Sequence, residues 1–215
     1  MKIAFTSDTH TRHAEMKIPE CDVLVHCGDI TLWGELGSID DLMYWFDNLK
    51  NVGERILVSG NHDVNFISKP EMTKTLLNRR CHYLQDQELV IDGVTFYGMP
   101  FLDIIREPNI QSLLTPDYVS DEVDRRTDYY KTIPEYTDVL ITHHPPSISE
   151  LSQTYDGFDL GCPILLDAVL NRVKPKIHSF GHIHTAYGMK KIDNTVFINA
   201  ACGEKLNQPI LFDLQ

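Results

Sequence analysis

The chain has no C-x-x-C pair. Its five cysteines, Cys21, Cys27, Cys81, Cys162 and Cys202, are odd in number and scattered. That argues against a zinc ribbon and against a disulfide frame, and fits reduced thiols in a cytoplasmic protein. No apolar run approaches the ~20 residues of a membrane span. The amino terminus runs directly into Lys2-Ile3-Ala4-Phe5, a short strand with no apolar secretion-signal region before it. Positive charge is scarce: 19 Lys and Arg stand against 31 Asp and Glu, a net charge of −12. A general electrostatic grip on polynucleotide or anionic membrane is therefore not expected. A small phosphate substrate is still compatible with this balance, because bound divalent metals reverse the local charge. There is no repeat, no low-complexity tract and no linker, and 215 residues fit one domain spanning 1–215.

What the chain does have is a set of apolar strands that each end in polar, metal-compatible residues. Lys2 to Thr6 leads into Ser7-Asp8-Thr9-His10. Asp22 to Cys27 leads into Gly28-Asp29, and Ile56 to Val58 into Ser59-Gly60-Asn61-His62-Asp63. Asp138 to Thr142 leads into His143-His144-Pro145-Pro146, and Lys176 to Phe180 into Gly181-His182-Ile183-His184. Strands buried on both faces read as continuous apolar runs, and α/β folds bind ligands at the carboxyl ends of such strands. His26 lies inside a strand pattern and reads as a core histidine or one that orients a ligand.

The other segments are structural. Ile39 to Leu49 has helical apolar spacing, and Met72 to Asn78 is a short helix. Cys81 to Leu84 and Glu88 to Ile91 read as strands. Asp92-Gly93 marks a hairpin turn into the strand Val94 to Tyr97. Gly161 to Val173 reads as a helix, and Thr195 to Ala200 and Ile210 to Leu214 as late strands. Residues 101–136 are the least regular. They carry a charged helical segment from Val119 to Lys131 and are either a lid or a surface excursion.

Asp8, His10, Asp29, Asn61, His143, His182 and His184 make seven oxygen and imidazole donors without a thiolate. Such a set suits manganese, iron or zinc, with nickel or cobalt also compatible, more than a structural zinc. Seven donors exceed the need of one ion, whereas two ions about 3.5–4 Å apart would use them through a shared carboxylate. Ten histidines make chance placement of any one of them ordinary; their joint placement at strand ends is not. Arg12 reads either as a phosphate contact or as a solvated loop residue. His144 reads as a residue lining the pocket.

In order and context, Asp8-x-His10, Gly28-Asp29, Gly60-Asn61-His62-Asp63, His143 and Gly181-His182-x-His184 resemble the motif set of the calcineurin-like metallophosphoesterases. Further similarity points to the brain-type metallophosphoesterase-domain subfamily. It lies in Ser7-Asp8-Thr9-His10-x-Arg12, Tyr83-Leu84-x-Asp86, Tyr97-Gly98-x-Pro100, Phe197-Ile198-Asn199-Ala200 and Phe212-Asp213-Leu214. The resemblance implies an α/β fold, a sandwich of two mixed β-sheets flanked by helices, and two divalent metal ions. Asp8, His10, Asp29 and His184 would hold one ion, and Asp29, Asn61, His143 and His182 the other. His62 would be the general acid, with Asp63 orienting its imidazole. The implied activity is hydrolysis of small phosphodiesters, cyclic nucleotides among them, by a hydroxide held between the ions. Two alternatives stand: a phosphomonoesterase or protein phosphatase, and a metal-binding regulatory scaffold with vestigial activity. His144 departs from the subfamily, where glycine is frequent.

Overall fold

Alternation along the strands sets the layers. In the computed structural model, which describes residues 1–77, 80–100 and 126–215, the first strand β1 (Lys2–Thr6) sends Ile3 and Phe5 to one face and Ala4 to the other. The second, β2 (Cys21–His26), does the same with Val23 and Val25 against Leu24, and β3 (Val52–Leu57) with Ile56 against Leu57. Period-two alternation in strands buried on both faces needs a covering layer on each side.

Those strands form the first sheet, in the order β11-β1-β2-β3-β4, where β4 is His82–Tyr83 and β11 is Ile210–Asp213. β1 to β4 pair in parallel, and β11 closes the edge of β1 antiparallel. The second sheet has the order β5-β6-β7-β8-β10-β9. Its strands are β5 (Gln87–Ile91), β6 (Val94–Met99), β7 (Val139–Thr142), β8 (Ile177–Phe180), β9 (Gly188–Ile192) and β10 (Thr195–Asn199). The inner four pair in parallel, and β5 and β9 are antiparallel edges.

Between the sheets, Ile3, Phe5, Val23, Val25 and Ile56 pack against Phe96, Val139, Ile141, Ile177 and Ile198. Outside the first sheet, α1 (Leu36–Asn48) lays Ile39, Leu42, Met43 and Phe46 over Ala4, Leu24 and Leu57. Outside the second, Leu165, Val169, Tyr129 and Tyr130 cover Tyr97, Leu140 and Phe180. Each fully buried large apolar side chain contributes about 1.5–3 kcal/mol. The expected sandwich of two mixed sheets flanked by helices is the fold observed.

Several boundaries move. The first helix starts three residues earlier than its apolar spacing suggests, at Leu36. The short helix of the 70s runs over Pro70–Leu77. Asp92 and Gly93 both hold positive φ, 48° and 79°, as a tight two-residue hairpin turn requires. The helix expected over Gly161 to Val173 is α-helical over Pro163–Asp167 and then widens to a π-helical repeat over Ala168–Val173. The strand β9 was not legible because Lys190 and Lys191 interrupt its alternation; it is an edge strand, where charge discourages further pairing. Of the segment 101–136, read as either a lid or a surface excursion, residues 101–125 lie outside the described residues. Within the helix expected from Val119 to Lys131, residues 126–130 are helical. Among the described residues no helix is long and apolar enough to cross a membrane, and all five cysteines are free.

Candidate metal centre

The parallel strands bring their carboxyl ends together where the two sheets meet. An isolated parallel bridge between Ser7 and Ala201 ties one sheet to the other there, and the Cys202 amide donates to the Ser7 carbonyl (2.8 Å). The loops after β1 and β2 stay paired beyond the strands. The amides of Asp8, His10 and Thr11 donate to the carbonyls of Gly28, Asp29 and Ile30 at 2.9, 3.1 and 2.7 Å. Loops held in this way can carry an unfavourable backbone. Asp8, His10, Thr11, Asp29 and His182 all hold φ between 42° and 70°, the left-handed region that disfavours L-residues and that clusters at functional sites.

Three trios of side chains bring donor atoms within 4.8 Å of one another: Asp8, His10 and His184; His10, Asp29 and His62; and Asp29, His143 and His182. Asp29 Oδ2 lies between the outer two, 3.8 Å from His10 Nε2 and 3.4 Å from His143 Nε2. Asn61 Oδ1 joins the last trio, 3.0 Å from both His143 Nε2 and His182 Nδ1. In the first, His184 Nε2 is 3.2 Å from Asp8 Oδ1 and 3.3 Å from His10 Nε2. All seven residues expected as ligands therefore meet in one place.

The tautomers suit cation binding. His10 Nδ1 lies 2.9 Å from the Thr31 carbonyl and His143 Nδ1 2.8 Å from that of Cys27. A carbonyl can only accept, so each Nδ1 carries a proton and Nε2 is the nitrogen left to face the site. Asp8 and Asp29 are buried. Burial opposes their ionisation, yet the neighbouring imidazoles, His184 and His143 for Asp8 and His143 for Asp29, hold both carboxyls below the usual range. Burial likewise works against a charged His143, but the Asp29 carboxylate pushes it up to about 9. His184 is raised chiefly by its hydrogen bond to Asp8. Burial carries His182 down to about 4. Two buried carboxylates thus hold protons on His143 and His184, whose rings face a common point, and divalent ions would replace those protons.

Glycines leave the room. A Cβ at Gly28 would come within 2.6 Å of His143 Nδ1. One at Gly60 would strike Asp29 Oδ1, and one at Gly181 would strike Asp8 Oδ2 and Ser7 Oγ. The donor set, its protonation and this close backbone approach fit a pair of divalent ions.

His62 is half-buried. Its Nδ1 lies 2.6 Å from the Leu32 carbonyl, and its ring centroid is 4.8 Å from that of His10. Its Nε2 is therefore the free nitrogen. Asp63 does not orient this ring as expected. The Asp63 carboxylate accepts from the backbone amides of Gly60 (2.9 Å), Ile30 (3.0 Å) and Thr31 (2.9 Å). A buried carboxylate needs donors, and here three backbone amides supply them while the imidazole turns to the Leu32 carbonyl. Burial and the charge of Asp29 still push Asp63 up to about 6. Its role is to clamp the loop after β2 to the loop after β3.

The remaining expected residues are less central. Arg12 is taken up by Glu15 (Nε to Oε1 2.9 Å), and its second donor reaches the Glu204 carbonyl at 3.4 Å. The His144 ring lies 5.6 Å from that of His182, tilted at 38°. Burial, with the charges of His182 and Arg126 beside it, holds His144 well below its ordinary pKa. His26 is a fully buried core histidine, 3.0 Å from the Thr9 hydroxyl.

Sequence reasoning missed three supports. The Thr31 hydroxyl donates to the His62 carbonyl (2.8 Å) and accepts the Gly34 amide (2.9 Å). Asn199 Nδ2 holds the carbonyls of Leu151 and Ile183 (2.9 and 3.0 Å), fixing the loop of His182 and His184. Arg126 brings a cation to the His144 side. Asn199 was visible within a recurring motif, but nothing in the sequence says where its amide points.

The calcineurin-like phosphoesterase family model matches residues 1–186. A UPF0046 protein of Caenorhabditis elegans is 32% identical over 97% of this chain and 79% of its own length. Metallophosphoesterase domain-containing protein 1 of Homo sapiens is 31% identical over 97% of this chain and 69% of its own. A solved crystal structure, 14% identical, superposes over 100% of this chain and 99% of its own with a TM-score of 0.66, a likeness of fold. The chain belongs to the calcineurin-like phosphoesterase family.

Proposed function

We propose that this phosphoesterase hydrolyses small phosphodiesters, cyclic nucleotides among them, with two divalent ions of which manganese is the first candidate. Asp8, His10, Asp29 and His184 would hold one ion and Asp29, Asn61, His143 and His182 the other. The observation that carries the reading is the convergence of both donor groups on Asp29 Oδ2 with a further imidazole, His62, beside them. Bound there, the ions would supply Lewis acidity: they would lower the pKa of a coordinated water and neutralise phosphoryl charge.

The chain's own residues do the rest. The Leu32 carbonyl holds a proton on His62 Nδ1 and leaves Nε2 as the exchanging nitrogen; as the imidazolium, its Nε2–H can protonate the departing ester oxygen. The Asp63 clamp keeps the His62 backbone in register with Asp29, whose Oδ1 accepts the His62 amide (2.8 Å). The left-handed backbone and close-packed glycines hold the donors before substrate arrives, so little reorganisation is left for the reaction. Arg12 is engaged by Glu15, and the charge of Arg126 is felt at His144. Arg126 also gives the phosphomonoesterase reading its one specific support, since a dianion gains more from an added cation.

The test is turnover of bis-p-nitrophenyl phosphate against p-nitrophenyl phosphate, with Mn²⁺ and with chelator. A diester preference abolished by chelation is expected. A monoester preference would replace the proposal with a phosphatase, and turnover that survives complete chelation would remove the metal from it.

A further inference from the structure

Trp33 stands four residues beyond Asp29 with 78% of its surface exposed. Its ring centroid is 5.5 Å from that of His62, tilted at 52°. His62 is 4.8 Å from His10, and His10 is 5.2 Å from His184. Successive ring contacts therefore lead from the donor cluster through the imidazole of His62 to an open indole.

The backbone that presents this indole is pinned. The amides of Leu32 and Trp33 both donate to Glu35 Oε2, at 3.2 and 3.1 Å. The Gly34 amide donates to Thr31 Oγ1, and Gly34 holds φ 83° over Val64, which a Cβ there would strike. The preceding carbonyl, that of Leu32, is the one that fixes the His62 tautomer. The same short loop sets the proton donor and holds a large apolar face in water beside it. An exposed indole recovers none of its transfer free energy in the free protein, but a planar ring placed on it would.

We propose that Trp33 is the platform for the leaving group: the indole stacks a planar aromatic ring, nucleoside base or aryl, carried by the alcohol that departs. The inference rests on the phosphodiesterase reading and on His62 as its proton donor. In that reaction the oxygen of water forms the new bond to phosphorus. The bond from phosphorus to the departing oxygen breaks, and that oxygen takes the proton of His62 Nε2. A phosphomonoester and an alcohol result, and the proton released by the water returns to His62 Nε2 and restores the imidazolium. The atom that receives the proton must lie against His62, so the group attached to it extends over the surface beyond that ring, where Trp33 is.

The experiment compares kcat and KM for bis-p-nitrophenyl phosphate and bis(2,2,2-trifluoroethyl) phosphate, using Mn²⁺-loaded wild-type, Trp33→Ala and Trp33→Phe proteins. Truncating an aromatic platform under one base typically costs about five- to a hundredfold. Trp33→Ala should lower kcat/KM for the aryl diester about tenfold, mainly through KM, and leave the trifluoroethyl diester within about twofold. Trp33→Phe should restore most of the loss. An equal loss on both diesters would overturn the platform in favour of a part in positioning His62. No loss on either would overturn it outright. A wild-type protein inactive on both diesters would overturn the phosphodiesterase reading itself, and the platform with it.

Discussion

The donors come from two sheets, and a buried imidazole stands behind each group. On the side of β1 and β2, His26 Nδ1 accepts the Gly28 amide (3.3 Å), so its Nε2–H donates to the Thr9 hydroxyl between Asp8 and His10. On the side of β7 and β8, the Thr142 hydroxyl donates to the His144 carbonyl (2.7 Å) and so accepts from His178 Nε2–H (3.0 Å), next to His143. Burial carries both imidazoles down to about 3. The difference is in the second nitrogen. His178 Nδ1 has no hydrogen-bond partner among the described residues and lies between the rings of Phe180 and Phe197. The first sheet fixes its donors by hydrogen bonds spent on loop backbone, including the Asp63 clamp. The second relies on packing, with Asn199 as its main polar tie. Two unlike kinds of support can therefore bring donors to one point.

The largest expected effect lies where the two halves meet. Asp29→Asn keeps the shape and the His62 amide contact but removes the charge common to both groups. Turnover should fall more than about a hundredfold, since even residues one step removed from a metal cost 10–100-fold. Metal analysis of the purified variant should show loss at both positions. Retention of two ions would break the idea that the halves share a carboxylate.

A middle-sized effect should separate the two donor groups, of which His184 belongs to the one with Asp8 and His10 and His143 to the one with Asp29 and His182. His143 is fully buried and His184 is 36% exposed on its side chain. In metal-free protein, His143→Ala leaves a cavity and an unpaired Cys27 carbonyl, a loss of about 2–4 kcal/mol. His184→Ala should cost about 1 kcal/mol or less. Thermal melts of both variants in chelator would show the order, and equal losses would erase the distinction between a packed donor group and an open one.

The smallest effect should come from the buried imidazoles. Their ordinary pKa is ~6.5, and burial lowers it to about 3 in the folded state. Above pH ~6.5 both states are neutral and the full stability is present. As pH falls below ~6.5 the unfolded chain takes up protons first, so stability declines until the folded groups also titrate near pH 3. Each imidazole contributes a slope of up to about 1.4 kcal/mol per pH unit. Urea unfolding of metal-free protein between pH 7 and 5 should show this slope, and His178→Gln should flatten it by about one proton. An unchanged slope in that variant would place the acid sensitivity elsewhere.

The sequence was most legible where chemistry sits at the end of an apolar run. The strands before Asp8, Asp29, Asn61, His143 and His182 could be read because continuous burial leaves a continuous apolar signal, and the turn residues stand out against it. Asp63 shows what could not be read. Its place beside His62 in the chain suggested a partner for the imidazole, but hydrogen bonds are decided by which donors a loop brings near. The amides of Ile30 and Thr31 come from a segment about thirty residues away. The edge strand Gly188–Ile192 was hidden because one exposed face erases the pattern that burial writes. The switch to a π-helical repeat at Ala168 leaves no mark in residue type that spacing alone could register.

The left-handed backbone at Asp8, His10, Asp29 and His182 also bears on endurance. Each such residue holds a conformation that costs of order 1–3 kcal/mol, and glycine, lacking a Cβ, would hold it without that strain. The chain is thus least comfortable where it is most useful. Glycine at His10 would relieve that strain but would also give up the ring's bond to the Thr31 carbonyl, so in metal-free form the strained residue is held by the contacts its own side chain makes.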